Sequence, residues 1–496
     1  MAGANGVWAL ATHPMPQLVC RMRPRPPDAV RLAGGQGFYG DTPEPLDDVL
    51  TEQPDYVCLE ALAELTLSIL SKDRQRDAAA GWTRDLPGYI SALLPAVQRG
   101  ETTVITNAGG INPPAAARAV ADTAAEHGAH GVTIATVTGD DLLARSGGAS
   151  AAAGGAATPA TAHSASPPER LLPAGFPEPE RLRFANAYLG ARPIVEALER
   201  GADIVITGRV ADAALFLAPL AHRHGWGWTQ WDRLAAGTVV GHLLECSGQA
   251  TGGNHGGRWW DVAKPWRFGL PLADVAPDGA AEVFKPQVAG GRVDFDTVRQ
   301  QLLYEVGDPA AYLTPDVTVD LTSVTLRELD DDAVAVAGAG GAPAPAAYKV
   351  VAAEPDGYAA ELSLALGWPH APAKARATAD LARQRVAQAG LEPADWHVEL
   401  FGVDALHGPA VPPEAEHQLA GGPSEVVVRL AWKHADAERC AEVARAIVPL
   451  ILSGPPPGCI PVNRARPRPS AQLALHTGTI DCARIDAGVT VHLEQV

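Results

Sequence analysis

Short apolar runs recur along the chain, each closed by a glycine-rich polar turn and followed by a segment of helical period. Residues 201–220 show the unit most plainly. The helical run 193–200 ends at Gly201, which suits the left-handed position just past a helix. Residues 203–207 are then apolar without alternation and rich in β-branched side chains, as in a parallel strand whose two faces are both covered. The polar turn Thr207-Gly-Arg-Val-Ala-Asp212 follows, and a helix opens directly on it over 213–220. Ligands of α/β proteins bind at this edge, beyond the carboxyl ends of the strands.

The same unit is legible four more times. A first strand over 28–33 is closed by Gly34-Gly-Gln-Gly-Phe-Tyr-Gly-Asp41, and a second, 55–60, ends in Glu60 before a helix over 61–70. A third, 102–106, follows the Gly100 stop and runs into Asn107-Ala-Gly-Gly-Ile-Asn-Pro-Pro114, whose proline launches a helix over 115–127. A fourth, 131–137, ends in Thr138-Gly-Asp-Asp141. Right-handed crossovers bring the ends of such strands to one edge of the sheet. Glu60, Asn107, Asp140, Asp141, Arg209 and Asp212 are therefore expected to converge although they are far apart in sequence.

Residues 145–170 interrupt the rhythm with an Ala/Gly/Ser/Thr/Pro run too poor in bulky apolar residues to bury anything, read as a flexible, protease-sensitive loop with His163 in solvent. Tryptophans within 225–231 suit packing, a helix is expected over 232–245, and the loop 246–255 with His242 has no spacing of a standard zinc site. From about Val319 the pattern changes. A strand over 360–365, a helix over 373–389, alternating strands over 396–403 and 425–433, a helix over 435–452 and a last strand over 488–496 give the order βαββαβ, a ferredoxin-like split unit. The expected fold is thus α/β, a mostly parallel sheet with helices on both faces over 28–320, after an N-terminal extension 1–27 and before a ferredoxin-like α+β domain over 321–496.

Composition narrows the partners. At 496 residues two domains are expected. A net charge of −18 disfavours nucleic acid and anionic membrane. No apolar run reaches the length of about 18 residues that a transmembrane helix needs, and the N-terminus lacks the ordering of a secretory signal. Six scattered cysteines without a Cys-x-x-Cys pair suggest neither a zinc ribbon nor a disulfide framework. A cytoplasmic homo-oligomer acting on a small molecule is expected.

At the strand ends, Glu60, Asp140, Asp141 and Asp212 are candidate acid and base groups, and Arg209 and Asn107 candidate donors to a developing oxyanion. Gly34, Gly35, Gly37, Gly109, Gly110 and Gly208 can offer backbone N–H groups, with Asn112 and Thr207 beside them. Helix capping competes with catalysis at Asp212 and at one or both of Asp140 and Asp141, and Arg209 pairing with a neighbouring carboxylate competes with ligand binding. The turn after the first strand departs from Gly-x-Gly-x-x-Gly, which weighs against a nucleotide-cofactor oxidoreductase; a non-catalytic assembly subunit is the third class. The sequence requires no cofactor.

The turns 34–41, 106–113, 138–141 and 207–212, with Ala185-Asn-Ala-Tyr-Leu-Gly190 and Leu302-Leu-Tyr-Glu-Val-Gly-Asp-Pro309, together resemble the acyclic terpene utilisation family AtuA over roughly 31–408. The resemblance adds Asn186 and Tyr188 as binding candidates. It implies a place in the bacterial breakdown of citronellol- and geraniol-type compounds, whose intermediates are branched acyl-coenzyme A thioesters. It implies no reaction and no catalytic residue set. An enzyme of hydratase or lyase type, using acid/base chemistry on an acyl thioester or related carboxylate, is the expected activity.

Overall fold

Runs of apolar, largely β-branched residues form strands β1 (Val30–Gln36), β2 (Tyr56–Leu59), β3 (Thr103–Thr106), β4 (Thr133–Thr138), β5 (Phe184–Ala187) and β6 (Ile204–Ile206). β2 and β6 are buried at every position, which accounts for the missing alternation. Parallel pairing runs β1–β2–β3–β6–β4. Helix Ala214–His224 packs on β1 and β2, Leu86–Gln98 on β3, and Pro113–Glu126 on β4 and β6. Gly100, Gly128 and Gly201 all take positive φ just beyond helices, as a left-handed helix stop requires. Val57, Leu93, Val104, Val120 and Ile204 meet in one apolar core.

The computed structural model describes residues 22–146, 170–329, 332–410, 422–455, 460–462 and 467–496. Most of the 145–170 insert, His163 included, and most of the N-terminal extension lie outside the described residues. The chain divides into two units, one formed by 1–174, 184–351 and 478–496, the other by 175–183 and 352–477.

In the first unit the sheet is mixed rather than mostly parallel. Beyond β1 it continues antiparallel through β7 (Leu272–Val275), β8 (Ala281–Phe284), Ala333–Ala337 and Thr325–Leu329. Past β4 it ends on the antiparallel strand Thr490–Gln495. Parallel crossovers announce themselves by alternating strand and helix runs; β7 and β8 are joined by a short turn instead, with Gly279 at φ +94. A small antiparallel sheet of Tyr312–Leu313, Thr318–Asp320 and Gly340–Ala342 also belongs to this unit.

Two boundaries expected from sequence are corrected. The second unit starts near 352, not 321, because the hairpin over 325–337 extends the large sheet through β8. The strand 488–496, expected to complete the second unit, pairs with β4. That unit's antiparallel path is Asp395–Phe401, Glu425–His434, Ala347–Gly367 and Ile460–Pro461, with Ser470–Asp481 also pairing with Ala347–Gly367. Helices Ala371–Gln388 and Ala437–Ile447 enclose a core with Leu362, Val428, Leu430, Trp432 and Val443.

Candidate functional site

Glu60 is the first residue past β2 and Asn107 the first past β3, and the parallel register sets them side by side. Asn107 Nδ2 donates to Glu60 Oε1 at 3.0 Å, while Asn107 Oδ1 accepts from the Ala61 N–H at 2.8 Å. The Leu62 N–H donates to the same Glu60 oxygen at 2.6 Å. The carboxyl is thus held in one orientation with both residues buried. Burial pushes the Glu60 carboxyl up to about 7; Arg209, Asn107 and the Leu62 N–H hold it down in part, and the charge of Glu245 adds to the rise.

The ends of β4 and β6 form a second locked pair. Asp140 Oδ2 accepts from Asn186 Nδ2 and from the Arg209 N–H, each at 2.8 Å. A Cβ on Gly208 would come within 2.5 Å of that carboxylate, so glycine is what lets the turn close on it. Burial pushes Asp140 up to about 6, against the pull of those hydrogen bonds. Asp141 is a helix cap: its Oδ1 accepts from the Leu143 and Ala144 N–H groups at 3.0 and 3.1 Å. Asp212, for which capping and catalysis both fitted, is not a side-chain cap. The helix Ala214–His224 has no side-chain cap hydrogen bond, and Asp212 pairs with Arg209.

Arg209, expected to hold a ligand, is buried and bonded within the protein. Its Nε donates to Val210 O at 2.9 Å, Nη1 to Leu62 O and Nη2 to Asp212 Oδ1. Its guanidinium lies 4.3 Å from the centre of the Tyr188 ring. The Tyr188 hydroxyl donates to Glu64 Oε1 at 2.6 Å, and Lys349 Nζ donates to that same oxygen at 2.8 Å. Those two donors outweigh partial burial and bring Glu64 down to about 2. Arg209 therefore acts as the buried counter-ion of the cluster, and 37% of the Asp212 side chain remains exposed beside it.

Three further residues at this edge were not expected there: His242, weighed from the sequence only as a zinc ligand, Glu245 and Tyr312. Helix Trp231–Leu244 delivers His242 and, at its C-cap, Glu245. His242 Nδ1 lies 3.0 Å from Glu245 Oε1, and the charge of Glu245 reaches both Glu60 and Asp212. The Tyr312 ring lies 5.6 Å from that of His242. The i,i+3 spacing of His242 and Glu245 was a usable signal; nothing local in the sequence points to Tyr312.

The glycine turns are placed otherwise than expected. Gly34 and Gly35 lie inside β1, which runs on to Gln36. A Cβ on Gly34 would meet Leu244 O at 2.3 Å, and one on Gly37 the Ser247 N at 2.1 Å, so the chain itself fills the space a phosphate would need. Gly109 packs on Thr207 O, and Gly110, at φ +57, on Leu70 and Gly81. Asn112 Nδ2 ties down the loop at Ala78 O and Ala80 O, and the Thr207 hydroxyl donates to Gly208 O. These are close-packing and turn residues. Among the described residues no three His, Cys, Asp or Glu side chains are placed to share a metal ion.

No curated protein and no solved structure gives a significant match to the chain. The model of the acyclic terpene utilisation family protein AtuA matches residues 30–491, nearly the whole sequence. With that match over both units, the chain belongs to the AtuA family, and its role lies in acyclic terpene utilisation.

Proposed function

We propose that the protein is an acid/base enzyme of acyclic terpenoid breakdown, of hydratase or lyase type, acting on a branched acyl thioester or related carboxylate. The observation that carries this reading is Glu60, a buried carboxyl with its protonation brought to about 7, fixed by Asn107 and the Leu62 N–H at the carboxyl edge of a parallel sheet. A base poised there can take a proton from the carbon next to a carbonyl. The departing β-hydroxyl then needs a proton, and Asp212, with its open side, is the neighbouring acid. Asp140 and Asp141 serve the turn and the helix cap, so the catalytic set contracts to Glu60 and Asp212. The nucleotide-cofactor reading has lost its glycine turn to packing.

The same proposal includes a small-molecule partner, a cytoplasmic setting, a homo-oligomer and a ferredoxin-like second unit. The last is supported by the antiparallel strand order described above. Glu60→Gln tests the chemistry. It should lower deuterium exchange at the carbon next to the carbonyl of isovaleryl-N-acetylcysteamine by at least ~100-fold, read by proton NMR, with binding kept. Undiminished exchange in the folded variant removes Glu60 from the mechanism.

A further inference from the structure

We infer that Arg74 receives a carboxylate: the fork formed by its Nε and Nη2 holds the carboxylate of a small ligand bound at the carboxyl edge of the sheet. This binding role goes beyond the acid/base reading and does not depend on Glu60. Helix Glu64–Arg76 carries the residue across the strand ends. Glu64 meets Tyr188, Leu70 packs on Gly110, and Arg74 Nη1 donates to Ile111 O at 2.6 Å. Ile111 and Asn107 belong to the same turn after β3, so the loop that fixes Glu60 also seats this guanidinium.

Three arginines are buried among the described residues, and two of them engage every guanidinium nitrogen. Arg31 donates from Nε and Nη2 to Asp274 and from Nη1 to Glu52 O. Arg209 donates to Val210, Leu62 and Asp212. Arg74 engages Nη1 alone: its Nε is fully buried without a hydrogen-bond partner, and Nη2 has none among the described residues. Those two nitrogens form the planar fork that matches a carboxylate at two points. The same unit uses that fork twice on its own carboxylates. Arg31 grips Asp274 with both nitrogens at 2.7 Å, and Arg267 grips Asp48 with Nε at 3.2 Å and Nη2 at 2.8 Å.

Among the described residues no carboxylate fills the fork of Arg74. The nearest approach of Asp141 is 4.0 Å, to Nη1, and its other oxygen caps the helix behind it. Burial pushes the Asp141 carboxyl up, against the pull of the cap and of Arg74, which makes it a weak counter-charge. Asp73 is shared by Arg76 and Arg84, at 3.7 and 3.1 Å. Burial lowers the Arg74 guanidinium from its usual range, Asp141 offsets part of that, and the group stays charged. A buried cation short of acceptors is costly. An entering carboxylate supplies the acceptors and the opposite charge together, whereas a phosphate dianion would bring two negative charges to a single fork.

Thermal shift of the full-length protein with isovalerate, its uncharged amide isovaleramide and inorganic phosphate tests the inference. Isovalerate should raise the melting temperature; isovaleramide and phosphate should not. Arg74→Met puts an apolar side chain in place of the buried cation and should fold without any response to isovalerate. Arg74→Lys keeps the charge and loses the fork, so isovalerate should bind at least about tenfold more weakly, the effect of one lost charge-assisted hydrogen bond. If Arg74→Met does not fold, Arg74→Lys alone decides. The inference is overturned by a wild-type protein that ignores isovalerate, by an equal response to isovaleramide or to phosphate, or by unchanged isovalerate affinity in Arg74→Lys.

Discussion

Gly208 shows how much of the site hangs on a single missing methyl group. Asp140 can accept from the Arg209 N–H only because the intervening turn carries no Cβ to strike its carboxylate. Gly208→Ala should therefore destabilise the protein by on the order of 1–3 kcal/mol through overpacking, measured as a lowered denaturant midpoint. Asp140→Ala removes the obstructing carboxylate at the cost of two hydrogen bonds. The double variant should lose less stability than the sum of the two single ones, since the clash no longer exists; strict additivity would show that Gly208 and Asp140 do not meet. At this scale the sequence was informative about side chains and misleading about glycines. Glu60, Asn107, Asp140 and Arg209 were legible because each lies in the polar turn that closes an apolar run. Gly34, Gly37, Gly109 and Gly110 read as ligand-approach points, yet a glycine needed for close approach of backbone to backbone leaves the same trace as one needed for a phosphate. Only coordinates tell which neighbour fills the space.

The strand ends act together as an element, because parallel register delivers carboxyls to one buried edge with few cations to meet them. Glu60 at about 7 and Asp140 at about 6 both lie above the ordinary carboxyl range, and burial is the first cause in each. A group whose folded-state pKa is raised binds its proton more tightly in the native state. Its contribution to stability is complete below the unfolded pKa, near 4, and is lost as pH rises through the folded value. Stability should therefore fall between about pH 4 and pH 7 and then level off, by on the order of 1–3 kcal/mol per group. Glu60→Gln should flatten the part of that fall nearest pH 7. Denaturant titrations of both proteins across this range check it, and parallel curves for the two would show that Glu60 ionises as freely folded as unfolded. Turnover, by contrast, should rise through about pH 7 as Glu60 becomes a base. The parallel core was legible from its uninterrupted apolar runs. The antiparallel flanks were not, because β7, β8 and the hairpin beyond them are short, and the strand that β7 pairs with, β1, lies more than two hundred residues away in sequence.

Across the whole molecule the chain leaves the first unit at 175 and at 352 and returns each time, so no single cut in sequence could have separated the two units. The last return matters for the site. Arg145 Nη1 donates to Ile485 O at 2.8 Å, and a Cβ on Gly139 would strike Gly488 O at 2.5 Å, so residues 485–489 lie against the turn that carries Asp140 and Asp141. Thr490–Gln495 then covers the free edge of β4 along six paired residues. Removing residues 490–496 should expose that edge to pairing with other chains, loosen the Asp140 turn, and lower both the melting temperature and the isovaleryl thioester exchange rate. Size-exclusion chromatography with a thermal melt and the exchange assay would show it. A truncated protein that keeps its melting temperature, elution volume and exchange rate would mean that β4 and its turn stand without the strand. A drop in exchange without a drop in melting temperature would place the effect at the Asp140 turn. Loss of both would place it in the sheet, where the neighbour of β4 on its other side is the three-residue strand β6.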